Sequence, residues 1–293
     1  MANGTTVGRI EDIRRYPVKS MGGEQLATTA LGARGIPGDR AWAVRDEVNG
    51  GIRGAKKIPG LMRLAAAYPE PPPAEGSSPA VITFPDGTTC RTGDADVNER
   101  LSRALDHRVS LWPLLPADAL DHYRRGAPTH ADFEQEMRAV FGRAEGEPLP
   151  DLTVFPPELF EYESPLGTYF DAFPLLVVTT GSLGTMASRR PASRFDVRRF
   201  RPNLLIATDE AAAGDGFPEA AWAGRRLSVG DAVLQLLAAC PRCVMTTHGF
   251  GDLPKDPGVM RALVQETGGL LGVYASVETP GTVGRGDSVT LLD

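Results

Sequence analysis

Glycine and proline interrupt this chain so often that few long helices fit into it. Of 293 residues, 33 are glycine and 25 are proline, and the apolar residues between them fall in short runs. Glycine supplies the positive φ of tight turns and proline removes a backbone donor, so this punctuation favours a turn-rich β protein over a helical bundle. Residues 7–18 alternate as a strand ending at Pro17, and a Gly22-Gly23 turn leads to a second strand over Gln25 to Leu31. After Gly35-Ile36-Pro37-Gly38 a third is expected over Asp39 to Val44, and Val81 to Arg91 reads as a hairpin turning at Pro85-Asp86-Gly87. In the second half, strands are expected over Pro174 to Val178, at Leu204 to Ile206, and over Leu227 to Ala239 with a break at Gly230-Asp231. Two more should fill Gly272 to Leu292, joined around Pro280-Gly281. Helical patterns are few: Val97 to Leu105 behind a possible Asp96 cap, the face Phe133, Met137, Val140 and Phe141, Leu183 to about Ser188, and Pro257 to Thr267. The expected class is mainly β (α+β), a small barrel or sandwich of short strands with a few peripheral helices.

The length suits two domains or one large one, and 42% hydrophobic with 23% charged residues is ordinary for a soluble globular protein. A net charge of −6 argues against nucleic acid or an acidic membrane surface as a general partner, although local basic clusters can bind a small anion. No apolar run approaches the ~18 residues of a membrane span. Three cysteines make no disulfide framework and cannot supply the four thiolates of an iron–sulfur cluster. The N-terminus lacks a basic region followed by an apolar core, so a cytoplasmic location is expected. Glu70 to Pro79 reads as a solvated loop, and the acidic, proline-punctuated residues 113–150 as a connection between domains or an insertion across their junction.

Chemistry is expected at Cys240-Pro241-Arg242-Cys243, which follows an apolar run. A guanidinium beside a thiol stabilises the thiolate, the form that attacks and the form that binds metal. The pair could be half of a zinc site, but no second such pair exists and His248 is the nearest further ligand. A thioredoxin-like pair should open a helix, which Thr246-Thr247-His248-Gly249 does not favour. One soft ligand or nucleophile, or two buried structural cysteines, remain open. A second signal is the run Arg189, Arg190, Arg194, Arg198, Arg199 and Arg201 against the single acid Asp196. It is either an anion site or a solvated surface, with Arg201, between Phe200 and Pro202, the least surface-like. Thr180-Gly181-Ser182, between a strand and a helix, could aim N–H groups at an anion or simply cap the helix. The phosphate-loop and dinucleotide motifs are missing, as is the Gly-x-Ser-x-Gly nucleophile turn.

Several segments together resemble one family. Tyr16-Pro17-Val18-Lys19-Ser20 with Gly38-Asp39-Arg40-Ala41-Trp42 is similar to the N-terminal β-barrel domain that precedes a MOSC domain. Phe200-Arg201-Pro202-Asn203, Cys240 to Thr247, Leu271-Gly272-Val273-Tyr274, Pro280-Gly281-Thr282-Val283 and Gly286-Asp287 resemble the MOSC domain itself. The order covers nearly the whole chain except 113–150, and implies domains over 1–112 and 151–293. Relatives include the mitochondrial amidoxime-reducing component and bacterial reductases of N-hydroxylated compounds. The resemblance implies a molybdenum cofactor in its molybdopterin form, with Cys243 rather than Cys240 as the protein ligand to the metal; a pyridoxal cofactor is not expected. It implies that Lys19, Arg40 and Arg201 grip the pterin and its phosphate, with Asn203 and Arg242 beside them and Thr180 and Ser182 giving hydroxyl and backbone contacts. The activity implied is reduction of a small N-hydroxylated or N-oxide substrate, with electrons from a separate ferredoxin- or cytochrome-like protein. The family also permits a sulfur-transfer enzyme or carrier using a Cys243 persulfide, or a cofactor-binding and delivery module without turnover. One departure is His248-Gly249-Phe250-Gly251, where reductase relatives commonly carry an Asp-Pro-type turn and Thr-Gly. The other is the lack of a cysteine-rich ferredoxin domain.

Overall fold

The computed structural model describes residues 4–208 and 216–292. The first half carries β1 (Gly4–Arg15), β2 (Glu24–Leu26), β3 (Thr28–Leu31), β4 (Trp42–Asp46), β5 (Ile52–Arg53) and β6 (Ala65–Ala67). It continues with β7 (Val81–Thr83), β8 (Thr89–Arg91), α1 (Val97–Leu105), β9 (Val109–Pro113), α2 (Leu120–Tyr123) and α3 (Phe133–Phe141). The second half holds β10 (Leu175–Thr179), α4 (Thr180–Arg189), α5 (Val197–Phe200), β11 (Leu204–Thr208), β12 (Arg226–Val229) and β13 (Ala232–Pro241). It ends with α6 (Pro257–Thr267), β14 (Leu270–Thr279), β15 (Gly281–Gly284) and β16 (Ser288–Leu292). The chain is mainly β with peripheral helices.

A closed barrel runs β11-β10-β14-β13-β12-β16-β1 and returns to β11, with β2 paired outside the ring on β1. Only β10 and β11 are parallel, and their crossover contains α4 and α5. Strand alternation fills both faces. Leu175 and Val177 of β10, with Leu204 and Ile206 of β11, point into the barrel, while Leu176, Val178 and Leu205 join an outer cluster with Met186 of α4 and Val259, Met260 and Leu263 of α6. β1 needs irregularity to do the same, because Val7, Ile10 and Ile13 are spaced by three rather than two. Register shifts at Thr6/Gly8 and Ile10/Asp12 bring all three into the barrel. Gly8 sits at the closing seam with φ +150°, where a Cβ would lie 2.0 Å from the Ala207 carbonyl oxygen, so only glycine lets β1 and β11 meet.

The remaining first-half strands form two three-stranded sheets, β5-β4-β9 and β6-β7-β8, around a second core that includes Val18, Met21, Val44, Leu61, Ile82 and Leu101. Strand pairing nevertheless crosses residue 112: β1 belongs to the barrel, and β3 pairs with β15. Three expectations are corrected. Gly272 to Leu292 lies in three strands, because β15 turns aside to β3 before β16 returns to the barrel. Gln25 to Leu31 is split at Ala27 between two sheets. The strand expected from Asp39 begins at Trp42, since Arg40 has φ 49°, which no strand accommodates. Asp96 stands at the N-cap of α1, but its side chain makes no capping bond. Among the described residues no helix is long and apolar enough to cross a membrane.

Candidate functional site

The expected cysteines sit where β13 leaves the barrel. Ala232, Leu234 and Leu236 face the interior, and simple alternation would send Cys240 there too. A register shift between Leu236 and Ala238 turns Cys240 into the outer cluster instead. The chain then makes one turn over Val244–Thr247, closed by Thr246 Oγ1 donating to the Cys243 carbonyl (3.1 Å) and Thr247 Oγ1 to that of Val244 (2.7 Å). Met245 plugs into the second core, and the His248 ring lies 2.9 Å from the Ala55 carbonyl. The loop carrying Cys243 is therefore held by both halves of the protein. Arg199, wholly buried, donates to the carbonyls of Thr246 (3.1 Å), His248 (2.9 Å) and Pro254 (2.7 Å).

Cys243 is half-buried on the wall of a cavity of about 390 Å³, lined by nine lysines and arginines against three carboxylates. On a chain of net charge −6 this is a strong local reversal of sign. Lys19 Nζ donates to the Tyr169 carbonyl (2.8 Å) and to Asp171 (3.0 Å). Arg40 pairs with Asp39, and Asn203, buried, donates to Asp39 (3.1 Å) and accepts from the Leu176 amide (3.2 Å). Arg201 donates to the Met21 carbonyl and lies 4.1 Å from the centre of the Tyr16 ring, on which Arg40 also rests at 5.2 Å. Arg242 bonds the Phe200 carbonyl (2.7 Å) and Cys240 Sγ (3.1 Å). Lys19, Arg40, Arg201, Asn203, Arg242 and Cys243 thus share one cavity, although they come from both ends of the chain.

Two further observations mark this cavity. The non-glycine residues with positive φ among those described are Ser20, Arg40, Asp106 and Arg201, and all but Asp106 line it. Such backbone costs about 1–3 kcal/mol per residue and persists where the surrounding structure enforces it, often at functional sites. Among the described residues, the buried side-chain atoms without a hydrogen-bond partner include Arg53 Nε, Arg201 Nη2 and Arg242 Nε, all guanidinium nitrogens of cavity residues. A buried donor left unmatched is expensive, so these groups suit an anion that accepts from them.

The electrostatics correct one sequence expectation. Arg242 touches Cys240, not Cys243. Burial pushes the Cys243 thiol up from its ordinary 9.0, more than nearby Lys56 lowers it, so the free side chain is held as a thiol. Burial opposes ionisation of Asp171, yet Lys19, Lys56 and Arg40 hold its carboxyl well below the usual range. Burial drives Arg201 down to about 10, with the Tyr16 hydroxyl acting the other way.

Thr180 and Ser182 are not brought to the cavity. The helix expected from Leu183 begins at Thr180, and its N-terminus is already occupied by a carboxyl group of the protein. Ser182 Oγ (2.5 Å) and Thr179 Oγ1 (2.7 Å) both donate to Glu219, a buried carboxyl whose pKa burial raises from 4.5. Thr179 also accepts from the Ser182 amide (3.1 Å), so this end is a cap built from the protein's own groups. The arginine run divides likewise. Arg189 and Arg190 pair with Glu266, and Arg194 and Arg198 with Asp252, on the outside; only Arg199 and Arg201 turn inward. Sequence reasoning missed Asp171 and Lys56, which carry no local motif and reach the cavity only through the fold, and it singled out Tyr274 only within a family segment, not as a cavity residue.

The MOSC domain family matches residues 167–290, and the MOSC N-terminal beta barrel domain family matches residues 7–105. Mitochondrial amidoxime reducing component 2 of Bos taurus is 26% identical over 310 residues, covering 97% of this chain and 83% of the relative. Mitochondrial amidoxime-reducing component 1 of Homo sapiens is 26% identical over 325 residues, covering 98% and 83%. The crystal structure of the YUAD protein from Bacillus subtilis aligns over 99% of this chain and 98% of its own, with a TM-score of 0.44 and 12% identity. With both domains present in order along its length, this chain belongs to the family in which a MOSC N-terminal β-barrel domain precedes a MOSC domain.

Proposed function

We propose that the cavity holds a molybdenum cofactor and that the protein is an oxidoreductase acting on N-hydroxylated or N-oxide substrates. The observation that carries this reading is a half-buried cysteine sulfur sharing a cationic cavity with buried, unpartnered guanidinium nitrogens. One soft sulfur suits a sulfur-rich metal centre, and the guanidinium donors suit a phosphate. The residues fit a pterin-borne molybdenum. Relatives named amidoxime-reducing components support the reductive direction.

In this reading Cys243 Sγ is the ligand to the metal, and Lys19, Arg40, Arg201 and Arg242 anchor the pterin and phosphate, with Asn203 fixing Asp39 and thereby Arg40. The cofactor supplies a two-electron exchange at the metal when bound. For an amidoxime the overall change takes two electrons and two protons, breaks the N–O bond, and releases an amidine and water. The protein holds Cys243 as a thiol, so metal ligation must release that proton, and loading should tighten as pH rises towards the thiol's raised pKa. Asp171 stays ionised between Lys19 and Lys56, leaving the cavity floor polar and fixed in charge. The word "component" in the relatives' names accords with electrons arriving from a separate ferredoxin- or cytochrome-like protein.

The test is molybdenum per chain after expression in a host that makes the cofactor. Wild type should carry close to one metal, and Cys243→Ala should lose at least tenfold while keeping its circular dichroism. Metal-free wild type would sink the reading. If its Cys243 then carried one extra sulfur removable by thiol, the sulfur-carrier alternative would replace it.

A further inference from the structure

The cavity has a second wall that cofactor anchoring does not use. Phe133 and Met137 come from α3, Phe155 and Phe160 from the following loop, and Phe173 and Tyr274 from the barrel side. Apart from Tyr274, none of these belongs to the hydrophobic clusters that make up the core. Phe133 and Phe160 are 59% and 53% exposed, and α3 buries no apolar side chain, its one buried residue being Glu136. Phe155, Phe173 and Tyr274 form an aromatic corner with ring centroids 5.5–6.1 Å apart. Charges beside the wall are already matched: Lys57 pairs with Glu136, and Arg125 with Glu163 at 2.7 Å. Residues 133–160 of this wall lie between the stretches matched by the two domain families, while Phe173 and Tyr274 lie within the MOSC match.

Apolar side chains left half-exposed around a cavity are stabilised by whatever apolar surface covers them. Continuity with the Cys243 floor makes the occupant a small molecule. We propose that this wall selects substrates with an uncharged aromatic body, seated in the Phe155–Phe173–Tyr274 corner with the N–O group turned to the floor. The proposal rests on the reductase reading for its reaction but not for its binding.

Two measurements keep them apart. With molybdenum-loaded protein and a reduced viologen as donor, kcat/KM is compared for acetamidoxime and its phenyl analogue. The phenyl compound should be favoured by about tenfold or more, and Phe155→Ala and Met137→Ala should each cut that ratio several-fold, mainly through KM. Independently of turnover, benzamidine should bind more tightly than acetamidine, and the same variants should erase the difference. Equal kcat/KM for both substrates, unchanged by the variants, overturns the wall while leaving the reductase reading intact. Aromatic binding that depends on Phe155 without any reduction keeps the wall and removes the reductase. Using two variants on separate elements guards against a single misfolded one.

Discussion

Two ends of the same parallel strand pair look alike in sequence and differ in what they leave unmet. At the C-terminal end of β10, Thr179, Thr180 and Ser182 open a helix, the usual setting for a bound anion. At the N-terminal end of β11, Arg201 and Asn203 close a short helix in a left-handed turn. The first end is complete, because the Glu219 carboxyl accepts from Ser182 and Thr179, and Thr179 in turn accepts from the Ser182 amide. The second is incomplete, because Arg201 is buried with Nη2 unpartnered. A binding site is marked by donors left over once the protein has used its own acceptors, not by the donors themselves.

That contrast can be broken in three places. The largest effect is expected at Glu219→Ala, which strips the buried partner from Thr179 and Ser182 and should cost about 4 kcal/mol in chemical denaturation. Molybdenum per folded chain should not change. The pH dependence carries a definite sign. Burial raises the Glu219 pKa above 4.5, so the folded chain keeps a proton that the unfolded chain has lost. Stability should therefore fall as pH rises through that interval, and Glu219→Gln should flatten that part of the curve.

Arg201→Ala comes next. Losing its charge-assisted bonds should weaken cofactor retention about hundredfold, measured as metal remaining after dialysis. In metal-free protein the same change should shift stability by no more than about 1 kcal/mol, since a buried cation with an unmatched donor contributes little net. A large loss of stability there would mean that Arg201 is structural, and the contrast would fail. Thr180→Ala should do least. Among the described residues its hydroxyl accepts a single 3.3 Å bond, from the Thr208 amide, so stability should move by under about 1 kcal/mol and metal content not at all. Lost metal in that variant would show that the helix end reaches the cofactor after all.

Strands written as unbroken apolar runs were readable. Leu175 to Val178 and Leu204 to Ile206 declare two faces, and the structure uses both, one for the barrel and one for the helices outside it. β1 was readable only as a strand, because its apolar residues are three apart and the register shifts that correct the spacing depend on β11 and β16. The expected site divided in the same way. Lys19, Arg40, Arg201, Asn203, Arg242 and Cys243 could be singled out by motif, and they meet in one cavity. Asp171 and Lys56 carry no such motif, and Phe133 and Met137 were readable as a helix face but not as the wall of a cavity.

By itself, the sequence determined the mainly β class, the positions of most strands, and the two cysteines and basic residues where chemistry was to be sought. Turn residues and alternation act over a few residues, so they can be read locally. Only the tertiary structure decided that β1 closes the barrel against β11, pairing Gly8 with Thr208 and Ile13 with Leu204 from opposite ends of the chain. It also decided that Glu219 fills one inviting helix end, that Arg242 serves Cys240, and that Arg201 keeps an unmatched nitrogen. Whether a polar group is satisfied depends on partners far along the chain, and no local pattern records them.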